Sequence, residues 1–290
     1  MVRTVRCALL CLLGLALLGC GPEANVVVGS KNFTESIILG EIVAQQLESV
    51  GLTVDRRFNL GGTFICHEAL VAGGIDVYVE YTGTAHAAIL ELPTERKRPT
   101  VRRQLDSVYA KRWSLEWTTT LGFNNTFALL VRAQDAVRLG LRTYSDVARL
   151  AAEWQPGFGY EFSGRADGYE GLSDAYGFRF ERQPAVMELG LTYRALAEGQ
   201  VDIIAGNSTD GLIGALDLFQ LEDDRDYFTA YDAVPVVRSE LLEALPEARV
   251  LLEALGGMID EESMRRMNYL VDVQRQSIPE VAREFLAGLR

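Results

Sequence analysis

The stretch Ala69-Leu70-Val71-Ala72-Gly73-Gly74-Ile75-Asp76-Val77-Tyr78-Val79-Glu80-Tyr81-Thr82 returns 126 residues later as Ala195-Leu196-Ala197-Glu198-Gly199-Gln200-Val201-Asp202-Ile203-Ile204-Ala205-Gly206-Asn207-Ser208. Ala, Leu, Gly and Asp are identical at matching places, and Ile/Val, Val/Ile and Thr/Ser are near-equivalents. Each copy reads as a helix end, a glycine stop, an acidic turn, a short apolar strand and a polar loop. Glycine accepts the left-handed conformation that ends a helix and that residues with a Cβ resist. A short apolar run rich in β-branched residues is the pattern of a strand buried in a parallel sheet. Two such units so far apart point to two similar α/β lobes. Ligands of open α/β sheets bind beside the C-terminal ends of strands, so each copy offers a strand-end loop to a shared site.

Outward from the first copy, Val26-Val27-Val28-Gly29 reads as a strand after a short tether, Gly21–Asn25. Ser30–Glu35 turns into a helix running to about Val50. Its Ile37, Ile38, Ile42, Val43 and Leu47 fall at helical spacing, with Asn32 or Thr34 as N-cap. Val54–Leu60 is a second strand. Gly61-Gly62-Thr63 opens the helix that ends at Gly73, and residues 76–80 complete a βαβαβ run, the mark of a sheet covered by helices. Residues 94–117 carry a basic helix with Arg96, Lys97, Arg98, Arg102 and Arg103, read as a solvated face. Phe127–Val131 and Val234–Val237 are further strands, residues 157–206 repeat the α/β alternation, and helices are expected at 238–255, 260–273 and 278–288. No low-complexity linker divides the chain, which favours lobes joined by crossing strands. The crossings are expected near Asn124–Phe127 and Phe228–Val234.

The chain has 290 residues, 48% of them hydrophobic, ample for a packed core. Its start is a leader: Arg3 and Arg6, then an apolar stretch from Cys7 to Leu18, too short to span a bilayer. Leu17-Leu18-Gly19-Cys20 resembles a bacterial lipobox, in which the cysteine is acylated and becomes the new N-terminus. Two or three acyl chains anchor firmly where one does not. The expected organisation is a signal peptide over 1–19, a first lobe over 20–124 completed by 230–290, and a second lobe over 125–229. Removing 1–19 leaves 26 basic against 40 acidic residues, a net charge of −14. That balance argues against nucleic acid as a partner, which needs clustered Lys and Arg. With Cys7 and Cys11 removed and Cys20 acylated, Cys66 is the only free thiol, and it reads as a small buried hydrophobe.

Little in the sequence argues for catalysis. The two histidines, His67 and His86, have no metal-ligand spacing, and Cys66-His67 are helix neighbours that do not face one another. There is no phosphate loop, no dinucleotide fingerprint and no nucleophile elbow. No cofactor and no metal are expected, and weight shifts from an enzyme to a binding protein.

Seven segments then converge in order: Gly29–Glu35, Leu60-Gly61-Gly62-Thr63, Glu80-Tyr81-Thr82-Gly83-Thr84, Leu121–Thr126, Arg165–Tyr169, Ser208-Thr209-Asp210-Gly211 and Tyr231–Val236. Together they resemble the extracytoplasmic substrate-binding proteins of osmoprotectant ABC importers, the glycine betaine/choline/carnitine-binding family. The resemblance covers residues 26–288. It implies an α/β, two-lobed periplasmic-binding-protein fold (type II-like), with the lobes joined by two crossing strands. It also implies a non-catalytic, lipid-anchored receptor on the periplasmic side that binds a quaternary ammonium osmolyte and delivers it to an ABC permease. A trimethylammonium group has no N–H to donate, and aromatic faces bind it instead. The resemblance places Tyr81 and Tyr231 at cage tyrosines and Phe127 where tyrosine is common. Asn207 falls where many members carry a fourth aromatic. Lys31, Thr84 and Arg165 match carboxylate-binding positions, and Asn125 of the Leu121–Thr126 motif joins the ligand-site residues. Tyr169 and Tyr193 read as packing residues. Two alternatives stay open: the same fold binding an amino acid or another small polar solute, which Asn207 favours, and a sensory receptor.

Overall fold

The computed structural model describes residues 25–93, 95, 97–228 and 230–289. The leader, the lipobox with Cys20, and Arg96 lie outside the described residues. Among the described residues, ten strands form two five-stranded mixed sheets. The first contains β1 (Asn25–Gly29), β2 (Thr53–Arg57), β3 (Val77–Tyr81), β4 (Leu115–Trp117) and β10 (Ala233–Arg238), in the order β2-β1-β3-β10-β4. The second contains β5 (Phe127–Arg132), β6 (Pro156–Gly159), β7 (Ala185–Met187), β8 (Ile203–Asn207) and β9 (Leu218–Gln220), in the order β7-β6-β8-β5-β9. The two orders correspond strand for strand. Each sheet has three parallel strands, then an antiparallel strand lent by a crossing segment: β10 beside β3 and β5 beside β8. Asn124 and Asp232 pair where the chain passes between the sheets.

The sequence echo is a structural one, bond for bond. Gly73 and Gly199 both take positive φ, 73° and 74°. The next amides, of Gly74 and Gln200, donate to the carbonyls of Ala69 and Ala195 at 2.7 and 2.8 Å. Asp76 N donates to Val27 O, and Asp202 N to Gln155 O, both at 2.8 Å. Each aspartate then takes back a bond: Val27 N donates to Asp76 Oδ2 and Gln155 N to Asp202 Oδ2, both at 2.9 Å. The aspartate thus clamps the incoming strand to the strand already laid, which is why an acidic residue stands at this turn in both copies.

Helices cover both faces of each sheet, so the central strands are buried on both sides; every residue of β3 is buried, Glu80 included. Helix α1 (Thr34–Glu48) lays Ile38, Leu39, Ile42, Val43 and Leu47 on the first sheet. Burying each such side chain stabilises the fold by roughly 1.5–3 kcal/mol. The Ile278–Gly288 helix packs over α1 through Val281, Ala282 and Leu286. Helix α2 (Thr63–Val71) buries Cys66, whose thiol is pushed up to about 12 by desolvation, as fits an inert core residue. Its neighbour His67 packs edge-on against Trp113, 4.5 Å between ring centroids. No helix among the described residues is long and apolar enough to cross a membrane.

Four expectations are corrected. The N-cap of α1 is Phe33, not Asn32 or Thr34, because the Thr34 hydroxyl is committed to Asp272 Oδ1 at 2.6 Å. The second strand stops at Arg57, short of Leu60, and Asn59 turns the chain with a positive φ of 58°. The basic helix, Arg98–Trp113, ends at Ser114 in the left-handed conformation, which frees 115–117 to become β4. The segment 238–255 is two helices, Ser239–Ala244 and Pro246–Glu253, since Pro246 cannot continue a helix through Leu245.

Gly206 in β8 sits under the Tyr193 ring. A Cβ there would lie 2.1 Å from Tyr193 Oη and 2.8 Å from Leu130 Cδ1. Gly206→Ala is expected to destabilise the protein by about 1–3 kcal/mol through overpacking, read as a lower urea midpoint. An unchanged midpoint would contradict this packing.

Candidate functional site

The strand ends of the two sheets face one cleft. After β1, Lys31, Asn32 and Phe33 make the turn into α1. β3 delivers Tyr81 with Thr84 one turn on, and the segment entering β10 delivers Tyr231. From the other side come Asn125 and Phe127 at the start of β5 and Asn207 at the end of β8. The Tyr160–Gly164 helix after β6 adds Glu161 and Phe162, with Arg165 just beyond. These groups enclose a cavity of about 100 Å³. All eight side chains singled out from the sequence line it: Lys31, Tyr81, Thr84, Asn125, Phe127, Arg165, Asn207 and Tyr231.

Aromatic rings dominate the lining. Phe33 lies 6.3 Å from Tyr81, and Phe127 lies 5.1 Å from Phe162 and 6.4 Å from Tyr231, centroid to centroid. Gly83 lets the Tyr231 ring approach; a Cβ there would stand 2.7 Å from it.

The two cations of the lining are already paired. Lys31 Nζ donates to Glu80 Oε1 at 2.6 Å and to Thr63 Oγ1 at 2.9 Å. Arg165 grips Asp167 through two bonds, 2.8 and 2.5 Å, and donates to Thr84 Oγ1 at 3.1 Å. Burial alone would pull the guanidinium down; Asp167 more than restores it, so Arg165 stays charged. The Arg165 guanidinium also lies 5.0 Å from the Phe127 centroid, and the Lys31 ammonium 5.3 Å from that of Tyr81. Lys31 uses two of its three donors on the protein, and Arg165 three of its five, so both keep capacity for a ligand oxygen.

Two carboxylates close the cleft. Glu161 Oε1 accepts from the Thr63 backbone N–H at 2.6 Å, so a residue carried with the second sheet meets the N-terminus of α2, where negative charge is favoured. Gly62 permits this, since a Cβ there would come within 2.0 Å of Glu161 Oε1. Glu35, 3% exposed, accepts from Tyr81 Oη (2.7 Å), Asn125 Nδ2 (2.7 Å), Thr209 Oγ1 (2.5 Å) and Asn268 Nδ2 (3.0 Å). Burial raises its pKa, against the opposing pull of those four bonds. Burial, with Glu35 adjacent, raises the Tyr81 hydroxyl well above its ordinary range.

Phe33, Glu161, Phe162, Glu188 and Glu35 were not singled out from the sequence. A signal existed for Glu161: it stands two residues past the end of β6, as Lys31 stands two past the end of β1, in strands that hold the same place in the two sheets. Tyr193 is fully buried, as packing requires, yet its hydroxyl also accepts from Asn207 N at 3.1 Å and so fixes the end of β8.

Desolvation raises Asp210 from 3.8 to about 7, although the Tyr193 hydroxyl donates to it. The unfolded chain loses this proton near 3.8 and the folded chain near 7, so between those values the folded state binds more protons and stability falls as pH rises. Asp210→Asn removes that loss. Its melting temperature relative to wild type is expected to climb between about pH 4 and pH 7; calorimetric melts showing a constant or shrinking difference would refute the assignment.

Residues 24–288 match the family described as the substrate binding domain of ABC-type glycine betaine transport systems. The chain is 36% identical over 92% of its length to the ergothioneine transport permease/ergothioneine binding protein EgtU of Helicobacter pylori, and spans 48% of that longer protein. It is 33% identical to a glycine-betaine-binding protein of Pseudomonas aeruginosa, over 99% of this chain and 94% of that one. A crystal structure described as a glycine betaine/carnitine/choline ABC transporter superposes with a TM-score of 0.75 at 31% identity, covering 91% of this chain and 98% of the other. The two matched sheets are therefore the two lobes of a periplasmic-binding-protein fold. The chain belongs to the substrate-binding family of glycine betaine-type ABC importers, a family of transport proteins and not of enzymes.

Proposed function

We propose that this protein is the extracytoplasmic receptor for a quaternary ammonium solute and hands it to an ABC permease. The observation that carries the reading is the ring of aromatic faces from Phe33, Tyr81, Phe127 and Tyr231 around one interlobe cavity. Each face contributes about 0.5–2 kcal/mol to holding a cation that has no N–H to offer, more once closure excludes water. The spare donors of Lys31 and Arg165 suit a carboxylate on the same ligand. Residues 125–229 would swing as one body about the paired strands at Asn124 and Asp232, and Glu161, Glu35 and Arg165 would make and break their interlobe bonds as they move.

Glycine betaine, choline and carnitine are the compact candidates. A second reading is favoured by Glu161, Glu188 and Asn207, which stand in the lining beside the rings: a betaine that also carries N–H donors. Ergothioneine, named for the Helicobacter relative, is of this type. The same acceptors would serve the ammonium N–H of an amino acid, and the cluster of rings is what favours the quaternary head over it.

The leader and Leu17-Leu18-Gly19-Cys20 support anchoring to a membrane by acylated Cys20. Cys20→Ser is expected to move the protein from the membrane to the soluble fraction; retention in the membrane would refute the anchor. Calorimetry with the four solutes should show binding of at least one. Phe127→Leu keeps the bulk and removes the π-face, so it should weaken that binding by about 1 kcal/mol, roughly fivefold. No heat with any of them at millimolar ligand would sink the reading.

A further inference from the structure

The two cations of the cavity lining each belong to a couple of the same kind. Lys31 Nζ lies 5.3 Å from the Tyr81 ring centroid and donates to Glu80 Oε1 at 2.6 Å. The Arg165 guanidinium lies 5.0 Å from the Phe127 centroid and 5.9 Å from that of Tyr231, and it grips Asp167 through Nε and Nη2 at 2.8 and 2.5 Å. Each carboxylate also holds the tyrosine of its couple. Glu80 Oε1 accepts from Tyr81 N at 2.7 Å, and Asp167 Oδ2 accepts from Tyr231 Oη at 2.8 Å. Cation, ring and carboxylate thus recur as a unit. Neither Glu80 nor Asp167 is among the described residues of the lining. They stand behind it, and Glu80 is fully buried, its Oε2 accepting from the Tyr78 hydroxyl at 3.1 Å.

The rings beside these cations are the faces that a quaternary ammonium head would use. A positive head placed there meets a positive charge, and like charges brought together out of water repel strongly. A betaine offsets this with its own carboxylate, which can take the spare donors of Lys31 and Arg165. Choline has no carboxylate to set against them. A bare cation can approach only if the protein supplies the counter-charge. The charges of the lining balance among themselves, Lys31 and Arg165 against Glu161 and Glu188. The outcome therefore turns on the two carboxylates behind it.

We propose that Glu80 and Asp167 are positioning residues that determine specificity. Each cancels the charge of a lining cation beside an aromatic face, so that the cavity accepts a quaternary ammonium cation with no carboxylate as well as a betaine. This rests on the quaternary ammonium reading and goes beyond it: residues that do not touch the solute set the charge that the solute must carry. Glu80 acts through Lys31, and Asp167 through Arg165.

Calorimetry compares choline with three betaines, glycine betaine, carnitine and ergothioneine. The wild type is expected to bind choline. Glu80→Gln keeps an oxygen for Lys31 and Tyr81 N and reverses the bond to Tyr78, so it removes charge with little change of shape. Choline should weaken by at least about tenfold in this variant, while the best-bound betaine holds or tightens. Adding Lys31→Met removes the stranded cation, and choline should regain most of the loss. Asp167→Asn should shift the balance between choline and betaine in the same direction, which gives a second reading should Glu80→Gln fail to fold. A purely structural role would move choline and betaine together, and the double variant would not recover. Parallel loss, no recovery, a choline affinity that neither single variant alters, or a wild type that binds a betaine but not choline would each overturn the proposal and leave the quaternary ammonium reading standing. A wild type that binds none of the four solutes would overturn both.

Discussion

One buried carboxylate holds the two lobes in register. Glu35 sits at the first turn of α1, out of water, and receives bonds from Tyr81, Asn125, Thr209 and Asn268. A carboxylate in such a place is tolerated only when its oxygens are matched, because an unmatched buried charge is strongly unfavourable. The partners come from β3, the first crossing segment, the loop after β8 and the Glu261–Asp272 helix. Through them Glu35 ties the first sheet to the loop after β8 of the second. The same residue accepts from the hydroxyl of Tyr81, so one carboxylate both meets the loop after β8 and holds a ring of the cavity lining.

The lobes are alike in frame and unlike in what they present. Both build β3 or β8 against a clamped neighbour through the same aspartate turn, and both borrow an antiparallel strand from the crossing. At the strand ends the chemistry diverges. Tyr81 faces the cleft from one sheet and Asn207 from the other; Lys31 is offered by one first turn and Glu161 by its counterpart. A shared scaffold with different strand-end residues yields an asymmetric cavity, with rings on both flanks but Lys31 offered from one and Glu161 from the other.

Much of this was legible in the sequence because it is local. The echo, its glycines and its aspartates are encoded within fourteen residues, and each turn closes through bonds to its own helix and an adjacent strand. The eight lining side chains could be placed because short motifs carry them at strand ends. Glu35 could not be placed: its meaning lies in Thr209 and Asn268, 174 and 233 residues away, and a glutamate in a first helical turn looks like an ordinary dipole partner. Thr34 misled for the same reason, since a distant Asp272 claims the hydroxyl that would otherwise cap the helix. The break at Leu245-Pro246 was written in the sequence and simply overrode the continuing apolar pattern.

The pairing of Lys31 with Glu80 and of Arg165 with Asp167 bears on how a receptor of this kind empties. Each cation has its counter-ion within its own half of the molecule, Lys31 with Glu80 beside the first sheet and Arg165 with Asp167 beside the second. Were the solute the zwitterion that the spare donors suit, its departure would strand no bare charge in the cleft, and no ion or proton would have to enter in exchange. The work of unloading would then fall on prying the lobes apart, a mechanical step that a docked permease could perform on the outer surface without reaching the solute at all.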